Sequence, residues 1–219
     1  MTRRLQRLAG ALCVFAAACS ADRDPAVAPS STTAGSSGTP AVAAVPVDSL
    51  AMVGDSITFG SMDALEQGFA TLDLDDVEID AEGGRRMVVD GLMSSGLDAV
   101  SEIAVEDPPD LWVIALGTND VANYEPEEYR AAIDELLAAV PPDVPVVWVD
   151  TYLDEYRDLS ALFNVELREA LAERGQSTVV DWATIASQEG VLSDGIHPSG
   201  FGIEQFTDRV VDAVDEWMA

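Results

Sequence analysis

The sequence predicts an α/β fold, a three-layer α/β/α sandwich around a five-stranded parallel sheet, on three observations. Of five short runs rich in Val, Ile and Trp, three (Leu50 to Val53, Leu111 to Leu116 and Val144 to Val149) are apolar without interruption, the pattern of strands buried on both faces. Amphipathic stretches separate them, so strand and helix alternate along the chain. The pattern occupies about 170 residues, enough for one sizeable core and not for two.

In chain order, the runs Leu50 to Val53, Val77 to Ala81, Leu111 to Leu116, Val144 to Val149 and Thr178 to Trp182 read as strands. The stretches Ser61 to Leu72, Met87 to Val105, Pro126 to Val140, Leu159 to Arg174 and Ser199 to Trp217 read as helices. Trp112 and Trp148 fall inside strands and are assigned to the core rather than to a substrate platform. A parallel sheet opens all its strand C-terminal ends onto one edge, where ligands of such sheets bind. Three polar segments follow strands and so reach that edge: Gly54-Asp55-Ser56-Ile57-Thr58, Gly117-Thr118-Asn119-Asp120 and Asp194-Gly195-Ile196-His197-Pro198.

His197 is the single histidine of the chain, so any serine chemistry must use it as base. A serine hydroxyl is a weak nucleophile until an imidazole takes its proton, and the imidazole needs a carboxylate to hold its tautomer. Asp194 stands three residues before His197, close enough for both side chains to share one side of a short loop and leave Nε2 free for Ser56. Each segment alone also has a plain structural reading. Gly-Asp-Ser suits a strand-ending turn and helix N-cap, Gly-Thr-Asn-Asp suits a turn, and Asp-Gly before His-Pro suits a loop. The Gly-x-Ser-x-Gly elbow of α/β-hydrolases is absent, because Thr58 stands where its second glycine would be.

Together with Gly83-Gly84, these ordered blocks resemble those of the GDSL/SGNH hydrolase family over about residues 48 to 217. The resemblance implies the flavodoxin-like SGNH hydrolase fold, with Ser56 as nucleophile, His197 as base and Asp194 as the orienting acid. It also implies an oxyanion hole made of the backbone N–H groups of Ser56 and Gly84 and the side-chain amide of Asn119. Such a hole needs donors already aimed at the oxygen; glycine allows close approach of the backbone, and Asn offers an uncharged donor. Arg85 and Arg86, beside the expected hole, either hold a carboxylate or sugar acid of the substrate or pair with neighbouring Asp and Glu.

Residues 1–18 read as a signal peptide: Arg3, Arg4 and Arg7, then an apolar Leu8 to Ala18 too short to span a bilayer, then small residues. Cys19 directly after Ala16-Ala17-Ala18 resembles the acylated cysteine of a bacterial lipoprotein, with plain secretion as the alternative. Residues 19–47, rich in Ser, Thr, Ala, Pro and Gly, read as a disordered tether, and residues 48–219 as the hydrolase domain. The only other cysteine, Cys13, lies in the removed segment, so the mature chain forms no internal disulfide. One His and no Cys pair also exclude the usual zinc sites, and Asp73-Leu74-Asp75-Asp76 reads as a solvated acidic turn, so no metal or cofactor is expected.

The formal net charge is −29; loss of three Arg with the signal leaves 8 Arg against 40 acids, or −32. Such a surface repels nucleic acid and anionic headgroups, leaving the Cys19 anchor as the expected route to a membrane. The expected protein is a monomeric, exported serine esterase at the outer face of a bacterial membrane or secreted, cleaving a small acyl group, acetyl foremost, from a small molecule or carbohydrate. Two rival readings are an acyltransferase to a sugar hydroxyl and a non-catalytic binding domain of the same fold.

Overall fold

In the computed structural model, which describes residues 46–89 and 94–218, five strands form one parallel sheet. They are β1 (Ser49–Gly54), β2 (Asp76–Ala81), β3 (Leu111–Ala115), β4 (Val146–Val149) and β5 (Ser177–Val180), ordered β2-β1-β3-β4-β5. The inner strands β3 and β4 are buried at every position, as continuous apolar runs require. On the edge strand β2, Asp76 and Glu78 are exposed, charges that discourage pairing with another chain.

Seven helices among the described residues connect and cover the strands: α1 (Ser56–Phe69), α2 (Gly96–Glu106), α3 (Thr118–Val121), α4 (Pro126–Leu137), α5 (Arg157–Arg174), α6 (Trp182–Ala186) and α7 (Gly200–Met218). Side chains alternate across the sheet and build two cores. Ala51, Val53, Trp112, Ile114 and Trp148 face one layer, filled by Val100 and Ile103 of α2, Ile133 and Leu136 of α4, and Phe163 and Leu167 of α5. Leu50, Met52, Val113 and Val147 face the other, filled by Leu65 and Phe69 of α1, Trp182 of α6, and Phe206, Val210 and Val214 of α7. Trp112 and Trp148 are fully buried, as expected.

The sequence reading misplaced several helix starts, each for a capping reason. α1 begins at Ser56 rather than Ser61, because the Asp55 carboxylate accepts the Ile57 N–H at 2.9 Å and starts the helix directly after β1. α2 begins at Gly96 rather than Met87, where Ser95 and Asp98 form a reciprocal capping box. Trp182 opens α6 instead of ending β5; Asp181 caps that turn, and the indole packs edge-on against Phe206 at 5.2 Å. α3 and α6 are too short for periodicity to reveal.

Gly54 is required by the tight return of α1 onto β1. A Cβ there would lie 2.0 Å from Thr58 Oγ1, so Gly54→Ala should destabilise the fold by about 1–3 kcal/mol or more. Gly60→Ala makes the control: nothing lies within 4 Å of that Cβ, and the helix should gain up to about 1 kcal/mol. Urea unfolding of both variants checks the opposite signs.

Candidate active site

Because α1 starts where β1 ends, Ser56 stands at the carboxyl edge of the sheet as the first residue of a 14-residue helix. Its N–H belongs to the helix-start donors that have no partner inside the helix, and no acceptor meets it among the described residues. The loop before α7 reaches the same edge because α1 and α7 pack side by side, Gly68 lying against Thr207 and Val211.

In that arrangement the Ser56 Oγ is 3.0 Å from His197 Nε2, and His197 Nδ1 is 2.8 Å from Asp194 Oδ2. A carboxylate only accepts, so the proton of the neutral ring belongs on Nδ1 and Nε2 is left to accept from the serine hydroxyl. The loop fixes the acid before it fixes the base. Asp194 Oδ1 accepts the backbone N–H groups of Ile196 at 3.0 Å and His197 at 2.8 Å. The His197 backbone N–H first, then its ring and the Ile196 N–H, hold the Asp194 pKa down at about 2. The loop is closed at its base by the Ser199 N–H on Val191 O and the Ser193 N–H on His197 O, both 2.8 Å. It is braced from the β4 side by the Asp154 N–H on Gly195 O at 2.9 Å.

The Asn119 amide nitrogen lies 3.2 Å from Asp55 Oδ2 and 3.1 Å from the Arg85 carbonyl. It therefore occupies the space between the residue before Ser56 and the residue after Gly84, so the segments carrying all three expected donors converge. Gly84 is exposed, with φ +79°, a conformation that favours glycine, and among the described residues its N–H meets no acceptor. Gly117, at φ +126°, lets the Asn119 turn leave β3; a Cβ there would meet the Phe163 ring at 2.6 Å.

Of the two readings open for Arg85, a substrate acid or neighbouring Asp and Glu, its contacts are those of the second. Arg85 is only 1% exposed: its guanidinium donates to the Asp80 carbonyl and carboxylate, both at 2.9 Å, and stands 3.3 Å from Glu82. It ties the end of β2 to the end of β1 through Gly54 O at 3.4 Å. A guanidinium so deeply buried needs such partners, and they leave it facing inward. Arg86 is also turned to the protein, with its Nε 3.5 Å from Asp120 and its guanidinium 4.5 Å from the centre of the Tyr124 ring. Cys19, the signal segment and most of the tether lie outside the described residues.

Two buried acids lie beside Ser56 and Asn119 in the chain. Asp55 and Asp120 are fully buried, and desolvation pushes their pKa values up to about 6 and about 7. At Asp55 the Ile57 N–H, the Thr118 hydroxyl and the His197 charge oppose that rise. At Asp120 the Met87 N–H and Arg86 oppose it, Met87 N lying 3.2 Å from both carboxylate oxygens. An acid whose folded pKa is raised favours folding most at low pH, and that contribution is lost as pH rises through 6 to 7. Both groups thus weaken the fold at neutral pH while anchoring the segments around Ser56, Asn119 and Gly84. Their only signal in the sequence is adjacency to Ser56 and Asn119, which does not distinguish a buried carboxylate from a cap.

A serine, a base and an acid in hydrogen-bonding line, beside converging N–H donors, suit acyl transfer. The model of the GDSL-like lipase/acylhydrolase family matches residues 52–204, a span that holds every one of these groups. The chain belongs to that family. No curated protein matches this GDSL family member. Solved structures do. The catalytic domain of a Streptococcus pneumoniae peptidoglycan O-acetyltransferase matches at 19% identity and TM-score 0.61, over 79% of this chain and 96% of that one. An aryl esterase of M. smegmatis matches at 17% identity and TM-score 0.63, over 78% and 99%. A carbohydrate acetylesterase family member from Sinorhizobium meliloti matches at 17% identity and TM-score 0.61, over 78% and 99%. At such identities the likeness speaks to the fold, which is that of the SGNH hydrolases.

Proposed function

We propose that this GDSL hydrolase is a serine esterase that removes a small acyl group, acetyl foremost, from a carbohydrate or small-molecule ester. The observation that carries the reading is the alignment of the only imidazole in the chain, 3.0 Å from Ser56 Oγ on one side and 2.8 Å from Asp194 on the other. His197 Nε2 takes the hydroxyl proton as Ser56 Oγ bonds to the ester carbonyl carbon, whose oxygen becomes an oxyanion facing the N–H donors of Ser56, Gly84 and Asn119. As the C–O bond to the alcohol breaks, the imidazolium returns that proton to the departing oxygen. Water then attacks the acyl-enzyme by the same route and releases acid and free Ser56.

Small acyl groups are favoured by the exposure of the His197 and Asp194 side chains, which sit at the surface. Beside Asp194 lies an open cleft of about 310 Å³, lined by Leu153, Asp154, Tyr156, Ser193 and Ile196 among others, polar enough for a hydroxylated alcohol. Fold likeness to a carbohydrate acetylesterase supports the same substrate class.

Labelling of Ser56 by a fluorophosphonate tests the reading directly, and an unlabelled, folded protein would instead indicate a binding domain. Purified protein should hydrolyse p-nitrophenyl acetate faster than the octanoate, since without a deep apolar acyl pocket the extra methylenes of the octanoate find no contacts that would favour it. A preference for chains of eight carbons would overturn the small-acyl assignment. Transfer to a sugar hydroxyl is the second reading, favoured by the likeness to a peptidoglycan O-acetyltransferase; acetylated product formed on adding a sugar acceptor would establish it.

Export and acylation at Cys19 complete the proposal. Cys19→Ala should shift the protein from the membrane fraction to the soluble one with its esterase activity intact, because about 28 tether residues separate anchor from domain. A wild-type protein found soluble without detergent would leave plain secretion.

A further inference from the structure

We infer that Asp55 is a positioning residue of this site: its carboxylate holds the Asn119 side-chain amide in the orientation that turns NH₂, not the carbonyl, to the nucleophile side. The inference rests on the esterase reading above and adds a residue to it.

A side-chain amide has two orientations of nearly the same shape that differ only in which atom, donor or acceptor, meets each neighbour. Both neighbours of the Asn119 head are acceptors, Asp55 Oδ2 at 3.2 Å and the Arg85 carbonyl at 3.1 Å. The reversed orientation would set the Asn119 oxygen against two oxygens. Of the two acceptors, only the carboxylate can change its nature, since protonation turns it into a donor. Asp55 Oδ1 meanwhile accepts the Ile57 N–H at 2.9 Å, so one fully buried side chain fixes both the helix that bears Ser56 and the amide of Asn119. These two acceptors take both amide hydrogens, at 3.2 and 3.1 Å, so an oxyanion would join one of these contacts as a third partner.

The charged groups around Asp55 come from every neighbouring segment: His197 from the base loop, Asp120 from α3, Arg85 bound to Gly54 O from the β2 side, and Asp150 across a small internal cavity that Thr118 also lines. Burial raises its pKa to about 6, so acidification below that value should loosen the amide. Loss of an oriented donor weakens binding of the transition state more than that of the substrate.

Asp55→Asn is the decisive variant, because Asn caps helices about as well as Asp, yet its own NH₂ can donate to Asn119 Oδ1 and so lifts the constraint. Expected are a fall in kcat of about 10- to 100-fold with KM changed less than about threefold, and no further fall when Asp55→Asn is added to Asn119→Ala. The acid limb of the kcat/KM profile should lose one ionisation in Asp55→Asn and also in Asn119→Ala. The latter needs no change at Asp55 and decides the matter if Asp55→Asn does not fold. Wild-type kcat in Asp55→Asn, a full additional loss on top of Asn119→Ala, or an unchanged acid limb in Asn119→Ala would each overturn the positioning role. Fluorophosphonate labelling of wild type separates the two failures: labelled wild type with such results sinks the role of Asp55 alone, and unlabelled wild type sinks the esterase reading with it.

Discussion

Ser56→Ala and His197→Ala should each lower kcat by roughly 10⁴ or more, and the double variant should be little worse than either single. The reason is geometric. Ser56 Oγ and His197 Nε2 share one proton across 3.0 Å, so removing either partner removes the same event. In many proteins a second histidine could rescue part of the loss or blur the pH profile; here no other imidazole exists. Asp194 should add no titration of its own near neutrality. Its pKa is depressed to about 2, so its contribution to stability is present above its ordinary value near 4 and lost only as pH falls toward 2, which keeps the orienting charge intact at any working pH. Steady-state kinetics on p-nitrophenyl acetate, with circular dichroism to confirm folding, measures the effect. A folded His197→Ala retaining most of the activity would sink the whole assignment.

Asn119→Ala should reduce kcat by about 10² to 10³, less than the loss of nucleophile or base, because two backbone donors, at Ser56 and Gly84, remain to face the oxyanion. KM should change little if the amide contributes chiefly in the transition state. The substitution also strips Asp55 Oδ2 and the Arg85 carbonyl of a donor, so some loss of stability should accompany the kinetic one. Thermal unfolding measured beside kcat separates the two. A kcat within about threefold of wild type would remove Asn119 from the oxyanion hole.

The layered α/β architecture was legible in the chain because burial on both faces leaves a mark that needs no partner to be read: Leu111 to Ala115 and Val146 to Val149 are apolar at successive positions, and only a covered parallel sheet accommodates that. Ser56, Asn119, Asp194 and His197 were equally legible as candidates, since serine chemistry admits few residue types and a chain with one histidine leaves its base no alternative. Helix starts were less so. A cap such as Asp55 or Ser95 acts through one or two side-chain contacts, too local to perturb the periodicity by which a helix is recognised. Tertiary structure alone decided the direction of Arg85, which the sequence left between substrate and neighbouring acids, because burial against Asp80, Glu82 and Gly54 O depends on how β2 returns to β1. It alone decided the state of Asp55 and Asp120. An aspartate in a motif looks the same whether solvated or enclosed, and only the packing of α1, α3 and the loop after β2 removes the water whose loss lifts their pKa values to about 6 and about 7.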